Sequence, residues 1–121
     1  MLVVDDEPAL TRVLDRALSK HHDVNAVTSA RDALARIEAG ERFDVIVSDL
    51  MMPEMTGMAL YEEIRRIAPD QAERMVFMTG GAFTAAAREF LERVANPRID
   101  KPIVATALLA VLADLLAPDV T

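Results

Sequence analysis

Short apolar runs alternate with segments of helical periodicity along the chain, and this alternation limits the possible folds more than any other feature. We predict strands at residues 2–5, 23–27, 43–48, 75–78 and 98–100. We predict helices at residues 7–18, 30–39, 57–68, 83–94 and 103–116. Strands that alternate with helices in this manner form a parallel sheet with helices on both faces, so the sequence predicts an α/β fold.

The length and composition indicate one domain and exclude several classes of protein. Residues 1–121, of which 52% are hydrophobic, are enough for a single domain with a buried core. The net charge of −7 argues against direct binding to nucleic acid, and no apolar run is long enough to cross a membrane. The chain has no cysteine and no recognisable signal peptide. We therefore expect a cytoplasmic location.

Polar residues stand at the ends of four of the predicted strands. Asp5 and Asp6 close the first apolar run, and Asp49 follows the third. Thr79 follows the fourth strand, and Lys101 follows the fifth. Because right-handed crossovers bring the carboxyl ends of parallel strands to one edge of the sheet, we expect these side chains to meet there.

This combination of side chains suits a divalent cation beside a phosphoryl group. Three neighbouring carboxylates repel one another, and we expect the pKa of at least one of them to be raised. Mg²⁺ prefers oxygen ligands of this kind and keeps positions open for a phosphate oxygen. A carboxylate can also act as a nucleophile and form an aspartyl phosphate. Lys101 would add a fixed positive charge, and Thr79 a hydroxyl donor.

Each of these residues also has a purely structural explanation. An aspartate after a strand is commonly a turn former or a helix cap, which could describe Asp49. Asp5 and Asp6 could complement the N-terminus of the first helix, and Lys101 could be a solvated charge. Each of these explanations accounts for one residue. They do not readily account for polar groups at the ends of strands 1, 3, 4 and 5 at the same time, so we favour the functional interpretation.

Four motifs together resemble those of the receiver domains of two-component response regulators. They are LVVDDEP from residue 2, VIVSDLMMPEMTG from residue 45, FMTGG from residue 77 and DKP from residue 100. The resemblance covers nearly the whole chain. It implies a flavodoxin-like doubly wound (βα)5 fold, with a five-stranded parallel sheet in the order 2-1-3-4-5 and helices on both faces.

The resemblance also implies a reaction and its partners. Asp49 would accept a phosphoryl group from the phosphohistidine of a histidine kinase or a histidine phosphotransfer domain, and would later lose it by autodephosphorylation. Thr79 and Lys101 would contact the phosphoryl oxygens. Such a domain catalyses only these reactions of its own and is not an enzyme that acts on an independent metabolite.

A magnesium site at the same edge of the sheet is implied as well. Asp6, Asp49 and the carbonyl oxygen of Met51 would bind Mg²⁺ directly. Asp5 would help through a bound water.

One position departs from the family pattern. Family members usually carry Phe or Tyr three residues before the lysine, and this chain has Arg98 there. A guanidinium group cannot fill an apolar cavity without a counter-ion, so the switch that depends on the aromatic ring is in doubt. We hypothesise that Arg98 stays outside and contacts an acidic group of a partner; the alternative is an exposed charge without a role. Phe83 or Phe90 could replace the moving ring, although their helical spacing favours ordinary core positions.

The context of the domain and its function leave alternatives open. The segments MTGGAFT from residue 78, AREFL from 87, NP at 96 and KP at 101 are also similar to the C-terminal receivers of hybrid histidine kinases. A free-standing receiver is the competing interpretation. The apolar last helix could pair two copies or dock a kinase. A receiver-like interaction module that works without phosphorylation is the main alternative function. A Mg²⁺-dependent phosphatase with an aspartyl nucleophile is less favoured, because Met51 stands where such enzymes carry a second aspartate.

Overall fold

The computed structural model describes residues 1–19, 23–52, 54–80, 84–101 and 105–116. Strands and helices alternate along these residues as the sequence predicts. The strands are β1 (Leu2–Val4), β2 (Asn25–Val27), β3 (Ile46–Asp49), β4 (Met75–Thr79) and β5 (Arg98–Asp100). The helices are α1 (Pro8–Leu18), α2 (Ala30–Glu38), α3 (Gly57–Ile67), α4 (Pro69–Ala72), α5 (Ala85–Arg93) and α6 (Ala105–Leu116).

The five strands form one parallel sheet in the order β2-β1-β3-β4-β5. This order confirms the prediction of a flavodoxin-like sheet. The register pairs Val4 with Ser48 between β1 and β3, and Thr79 with Asp100 between β4 and β5. The carboxyl ends of β1, β3, β4 and β5 therefore lie next to one another, where the polar residues were expected to meet.

Alternate residues of the strands belong to two apolar clusters, one on each face of the sheet. In β1, Leu2 and Val4 lie in one cluster, and Val3 lies in the other. The first cluster includes buried residues of α2, α3 and α5, and the second includes buried residues of α1 and α6. The sheet is thus covered by helices on both faces, as predicted.

The boundaries of several elements differ from the prediction. β3 begins three residues later than predicted, and the buried residues Phe43 and Val45 precede it. The short helix α4 was not predicted; Pro69 occupies its first turn, where a missing amide proton does no harm. The predicted starts of the last two helices, at residues 83 and 103, lie outside the described residues.

Several helix ends have the local structure that their sequences favour. The Ser29 hydroxyl accepts a hydrogen bond from the Asp32 amide and caps the start of α2. Gly40 follows α2 with a φ of 98°, a left-handed conformation that glycine adopts at little cost. Thr56 and Thr84 cap α3 and α5 in the same way as Ser29.

An aromatic cluster fills the space between the sheet and the helices α3 and α5. Phe90 packs edge-to-face against Phe77 and Tyr61, with ring centroids 5.2 and 5.3 Å away. Phe90 is buried, which confirms the prediction of an ordinary core position. Phe83 lies outside the described residues.

None of the helices in the described part of the chain combines the length and apolar character needed to cross a bilayer.

A buried glutamine fixes the segment that leads into β3. The Gln71 side chain accepts a hydrogen bond from the Phe43 amide at 2.8 Å and donates one to the Phe43 carbonyl at 3.1 Å. Both groups are buried, so loss of the glutamine would leave the backbone of Phe43 without its partners.

We expect Gln71→Ala to lower the free energy of unfolding by about 2 kcal/mol, because two buried backbone groups lose their partners. Urea denaturation followed by circular dichroism measures this loss. Glu73→Ala is the matched control, since Glu73 is exposed and belongs to the same turn. Equal losses in the two variants would contradict the role of Gln71.

The start of α3 packs directly on the backbone that follows β3. The Gly57 amide donates a hydrogen bond to the Leu50 carbonyl at 2.9 Å. A Cβ atom at position 57 would overlap the Asp49 carbonyl oxygen. Only glycine therefore permits this close approach.

We expect Gly57→Ala to lower the free energy of unfolding by about 1–3 kcal/mol, because the chain around Asp49 must move to admit the methyl group. Gly80→Ala serves as the control, since a Cβ atom at position 80 would have no neighbour within 4 Å. Thermal unfolding of both variants tests the prediction. A Gly57→Ala variant as stable as the control would argue against the close packing.

Candidate functional site

The sequence-predicted polar residues lie together at the carboxyl edge of the sheet. Asp5 directly follows β1, Asp49 and Thr79 are the last residues of β3 and β4, and Lys101 directly follows β5. The Lys101 ammonium lies 3.1 Å from Asp49 Oδ2 and 3.4 Å from Asp5 Oδ2. One cation thus bridges two carboxylates that are far apart in the sequence.

Three carboxylates form a cluster at this edge. One oxygen each from Asp5, Asp6 and Asp49 can be chosen so that all three lie within 4.8 Å of one another. Asp5 and Asp49 are buried, whereas Asp6 is exposed. This set of hard oxygen atoms, open to solvent on one side, could bind a metal ion such as Mg²⁺.

Asp5 has a structural role in addition to its place in the cluster. Its Oδ1 accepts a hydrogen bond from the Glu7 amide at 2.8 Å, which shapes the turn into α1. Its Oδ2 faces Lys101. Asp5 therefore shapes this turn and contacts the ammonium group at the same time.

Burial raises the pKa of Asp49 above its ordinary value. The hydrogen bond and charge of Lys101 oppose this rise, and the negative charge of Asp5 adds to it. A raised pKa for one of the three carboxyl groups agrees with the expectation from the sequence. The nearby positive charge favours the ionised form of Asp49, which is the form that can act as a nucleophile.

Burial acts on Lys101 in the opposite direction, because it would lower the pKa of the ammonium group. The hydrogen bond and charge of Asp49, followed by those of Asp5, outweigh this effect and raise the pKa of Lys101. The side chain therefore remains protonated at neutral pH and supplies a fixed positive charge at the site.

The hydroxyl of Thr79 makes a contact that the sequence did not predict. Thr79 Oγ1 donates a hydrogen bond to Asp100 Oδ1 at 2.8 Å. Asp100 was not identified as a site residue, since it appeared only as part of the strand and of the DKP motif. Its position at the end of the fifth predicted strand is the signal that the sequence offers, and the register of the structure then places it opposite Thr79.

Met51 lies beside Asp49 through the backbone. Its amide donates a hydrogen bond to Asp49 Oδ1 at 3.4 Å, and the residue is exposed. The expected role of its carbonyl oxygen as a metal ligand stays a prediction.

Arg98 is exposed at the start of β5, where it pairs in register with Phe77. It does not occupy an apolar cavity, which agrees with the expectation from its charge. Its contact with an acidic group of a partner stays a hypothesis. In α6, Leu108 and Leu112 are buried against the sheet, whereas Asp114 is exposed.

Comparison with known proteins identifies relatives over almost the whole chain. The family model of the response regulator receiver domain matches residues 1–113. Sensor kinase CckA of Brucella abortus is 33% identical over 118 residues, which cover 96% of this chain and 12% of the relative. Sensory/regulatory protein RpfC of Xanthomonas campestris pv. campestris is 36% identical over 121 residues, covering 95% of this chain and 16% of the relative.

The solved structures include the same fold. A response regulator receiver domain protein from Clostridium thermocellum superposes with a TM-score of 0.82 at 26% identity, covering 95% of this chain and 91% of that chain. The chain spans only 12% and 16% of the length of the two curated relatives described above. The match over residues 1–113, the sheet order and the clustered aspartates and lysine together place this chain in the response regulator receiver domain family.

Proposed function

We propose that this receiver domain is the phosphoacceptor of a two-component phosphorelay and that Asp49 is the residue phosphorylated. The observation that carries the proposal is the position of the Lys101 ammonium, 3.1 Å from Asp49 Oδ2 and beside the buried Asp5. An aspartate that served only as a turn former would need neither the buried neighbour nor the shared cation.

The proposed reaction transfers a phosphoryl group from a phosphohistidine to Asp49. A carboxylate oxygen of Asp49 attacks the phosphorus atom and forms a new P–O bond. The P–N bond breaks, and its electron pair leaves with the imidazole nitrogen, which then takes up a proton. In autodephosphorylation a water oxygen attacks the same phosphorus, the P–O bond to Asp49 breaks, and inorganic phosphate leaves.

The carboxylate cluster fits a magnesium ion by its chemistry. Lys101 contacts two of the three carboxylates, so among the described residues the cluster keeps an excess of negative charge that a divalent cation would balance. Asp6, Asp49 and the Met51 carbonyl would hold the ion directly, and Asp5 would hold it through water. When bound, Mg²⁺ would neutralise the charge on the phosphoryl oxygens.

Lys101 and Thr79 would stabilise the transferred group. The raised pKa of Lys101 keeps its ammonium group charged beside the oxygen that attacks. The Thr79 hydroxyl, at the end of the neighbouring strand, would donate a hydrogen bond to a phosphoryl oxygen. Both residues act by position and charge, as expected for phosphoryl transfer.

The partner in this proposal is a histidine kinase or a histidine phosphotransfer domain. Two relatives are named sensor kinase and sensory/regulatory protein, which supports a partner that carries a phosphohistidine. A cytoplasmic location and a homodimer through α5 and α6 belong to the same proposal. The domain acts on its own aspartate and on no separate metabolite.

The alternative module that works without phosphate is not favoured. Such a module has no need for Lys101 to join Asp5 and Asp49 at the edge of the sheet. The phosphatase alternative lacks a general acid at Met51, as the sequence already indicated.

Incubation with acetyl phosphate and Mg²⁺ should add the mass of one phosphoryl group to the wild-type chain, and no adduct should form in Asp49→Asn. Intact-protein mass spectrometry measures both. Asp70→Asn is the matched control, because Asp70 is an exposed aspartate in α4, away from the site. An adduct of equal yield in Asp49→Asn would place the phosphoacceptor elsewhere.

Asp49→Asn should raise the free energy of unfolding of the metal-free protein at neutral pH. The pKa of Asp49 is raised in the folded chain. Such a carboxyl group destabilises the folded state at every pH above the pKa that the group has in the unfolded chain. Urea denaturation in EDTA measures the gain, with Asp70→Asn as the control.

Addition of Mg²⁺ should reduce or reverse this difference, because the ion would stabilise the folded wild type more than the variant. A variant that is less stable than the wild type in EDTA, or a difference that does not respond to Mg²⁺, would contradict the proposed cluster.

A further inference from the structure

The hydroxyl of Thr79 is already engaged in this structure. It donates to Asp100 Oδ1 at 2.8 Å across the β4–β5 pair. The Lys101 amide also donates to the Thr79 carbonyl at 2.6 Å, so the two backbones are joined at the same point. A change of partner by the hydroxyl therefore requires a rotation of the Thr79 side chain away from Asp100.

A threonine hydroxyl has one proton, and it can donate to only one strong acceptor at a time. Thr79 is 3% exposed, so water cannot readily take the place of a protein acceptor. The hydrogen bond to a carboxylate is charge-assisted and stronger than one to a neutral acceptor. Thr79 must break this bond before it donates to a phosphoryl oxygen.

Asp100 differs from Thr79 in its access to solvent. The residue is exposed, so water can solvate its carboxylate once the Thr79 hydroxyl leaves. The register places Met78 opposite Asp49, and Thr79 is the next residue along β4. Because β4 lies between β3 and β5, Thr79 stands at the end of the strand between the one that ends in Asp49 and the one that ends in Asp100.

We propose that Asp100 is a positioning residue that competes with the phosphoryl group on Asp49 for the single proton of the Thr79 hydroxyl. This inference rests on the proposed function, because it requires a phosphoryl group at Asp49. Asp100 then opposes the phosphorylated state, and its removal favours that state.

Beryllofluoride, a mimic of the phosphoryl group, tests the competition at equilibrium in the presence of Mg²⁺. We expect Asp100→Ala to bind it about tenfold more tightly than the wild type, because a hydrogen bond to a charged acceptor no longer has to break. Asp100→Asn keeps a weaker acceptor and should bind with intermediate affinity. Asp70→Ala controls for the loss of one negative charge far from the site.

A double-mutant cycle separates the hydrogen bond from simple charge repulsion. In a Thr79→Val background the donor is absent, so Asp100→Ala should change beryllofluoride affinity less than about twofold. The same tenfold gain with and without the hydroxyl would mean that Asp100 acts by its charge, and the inference would be overturned.

The rotamer of Thr79 provides a readout that needs no phosphoryl group. Three-bond couplings of Thr79 in the metal-free protein should change in Asp100→Ala and be retained in Asp100→Asn. Unchanged couplings in Asp100→Ala would overturn the inference.

The binding data distinguish this inference from the proposed function. Wild-type binding with no effect of Asp100→Ala overturns the role of Asp100 alone. A wild type that binds no beryllofluoride overturns both proposals.

Discussion

The ammonium group of Lys101, shared between the carboxylates of Asp5 and Asp49, is the interaction on which the rest of the site depends. These three residues come from the ends of β1, β3 and β5, so the contact ties together strands that are separated in sequence and reaches across the end of β4. Two buried carboxylates would be unfavourable without a counter-ion. One ammonium does not balance the whole cluster, and the remaining negative charge leaves a place for a cation.

The scaffold makes this arrangement possible because the sheet is covered on both faces. Its strands alternate between two apolar clusters, so a shift of register by one residue would move each side chain into the cluster on the opposite face and disrupt the packing of both. The ends of the strands are therefore held in fixed positions, and the close packing of Gly57 on the chain after Asp49 fixes the next segment as well. The functional residues at the ends of the strands keep fixed positions because the strands and helices that carry them are rigid.

The alternating runs predicted a parallel sheet covered by helices, and the residues that end the runs predicted the meeting of Asp5, Asp49, Thr79 and Lys101. The order of the strands was implied by the resemblance to receiver domains and is confirmed. The sequence did not predict α4, since four residues are too few to show a helical period. Nor did it predict the Thr79–Asp100 hydrogen bond. A side-chain rotamer depends on the register of two strands, and a sequence pattern gives the strands without the register.

Under the proposed function, the contacts of Asp49 and Lys101 differ from that of Thr79 in how much they would have to change. Asp49 and Lys101 already face each other at 3.1 Å, so phosphoryl transfer at Asp49 would need little rearrangement of either side chain. The Thr79 hydroxyl is held by Asp100 and would have to change its partner. In this view the rate of transfer depends mainly on the lysine and the carboxylates, while the stability of the phosphorylated state depends on which acceptor holds the threonine proton. Substitution of Asp100 would then alter the second property more than the first.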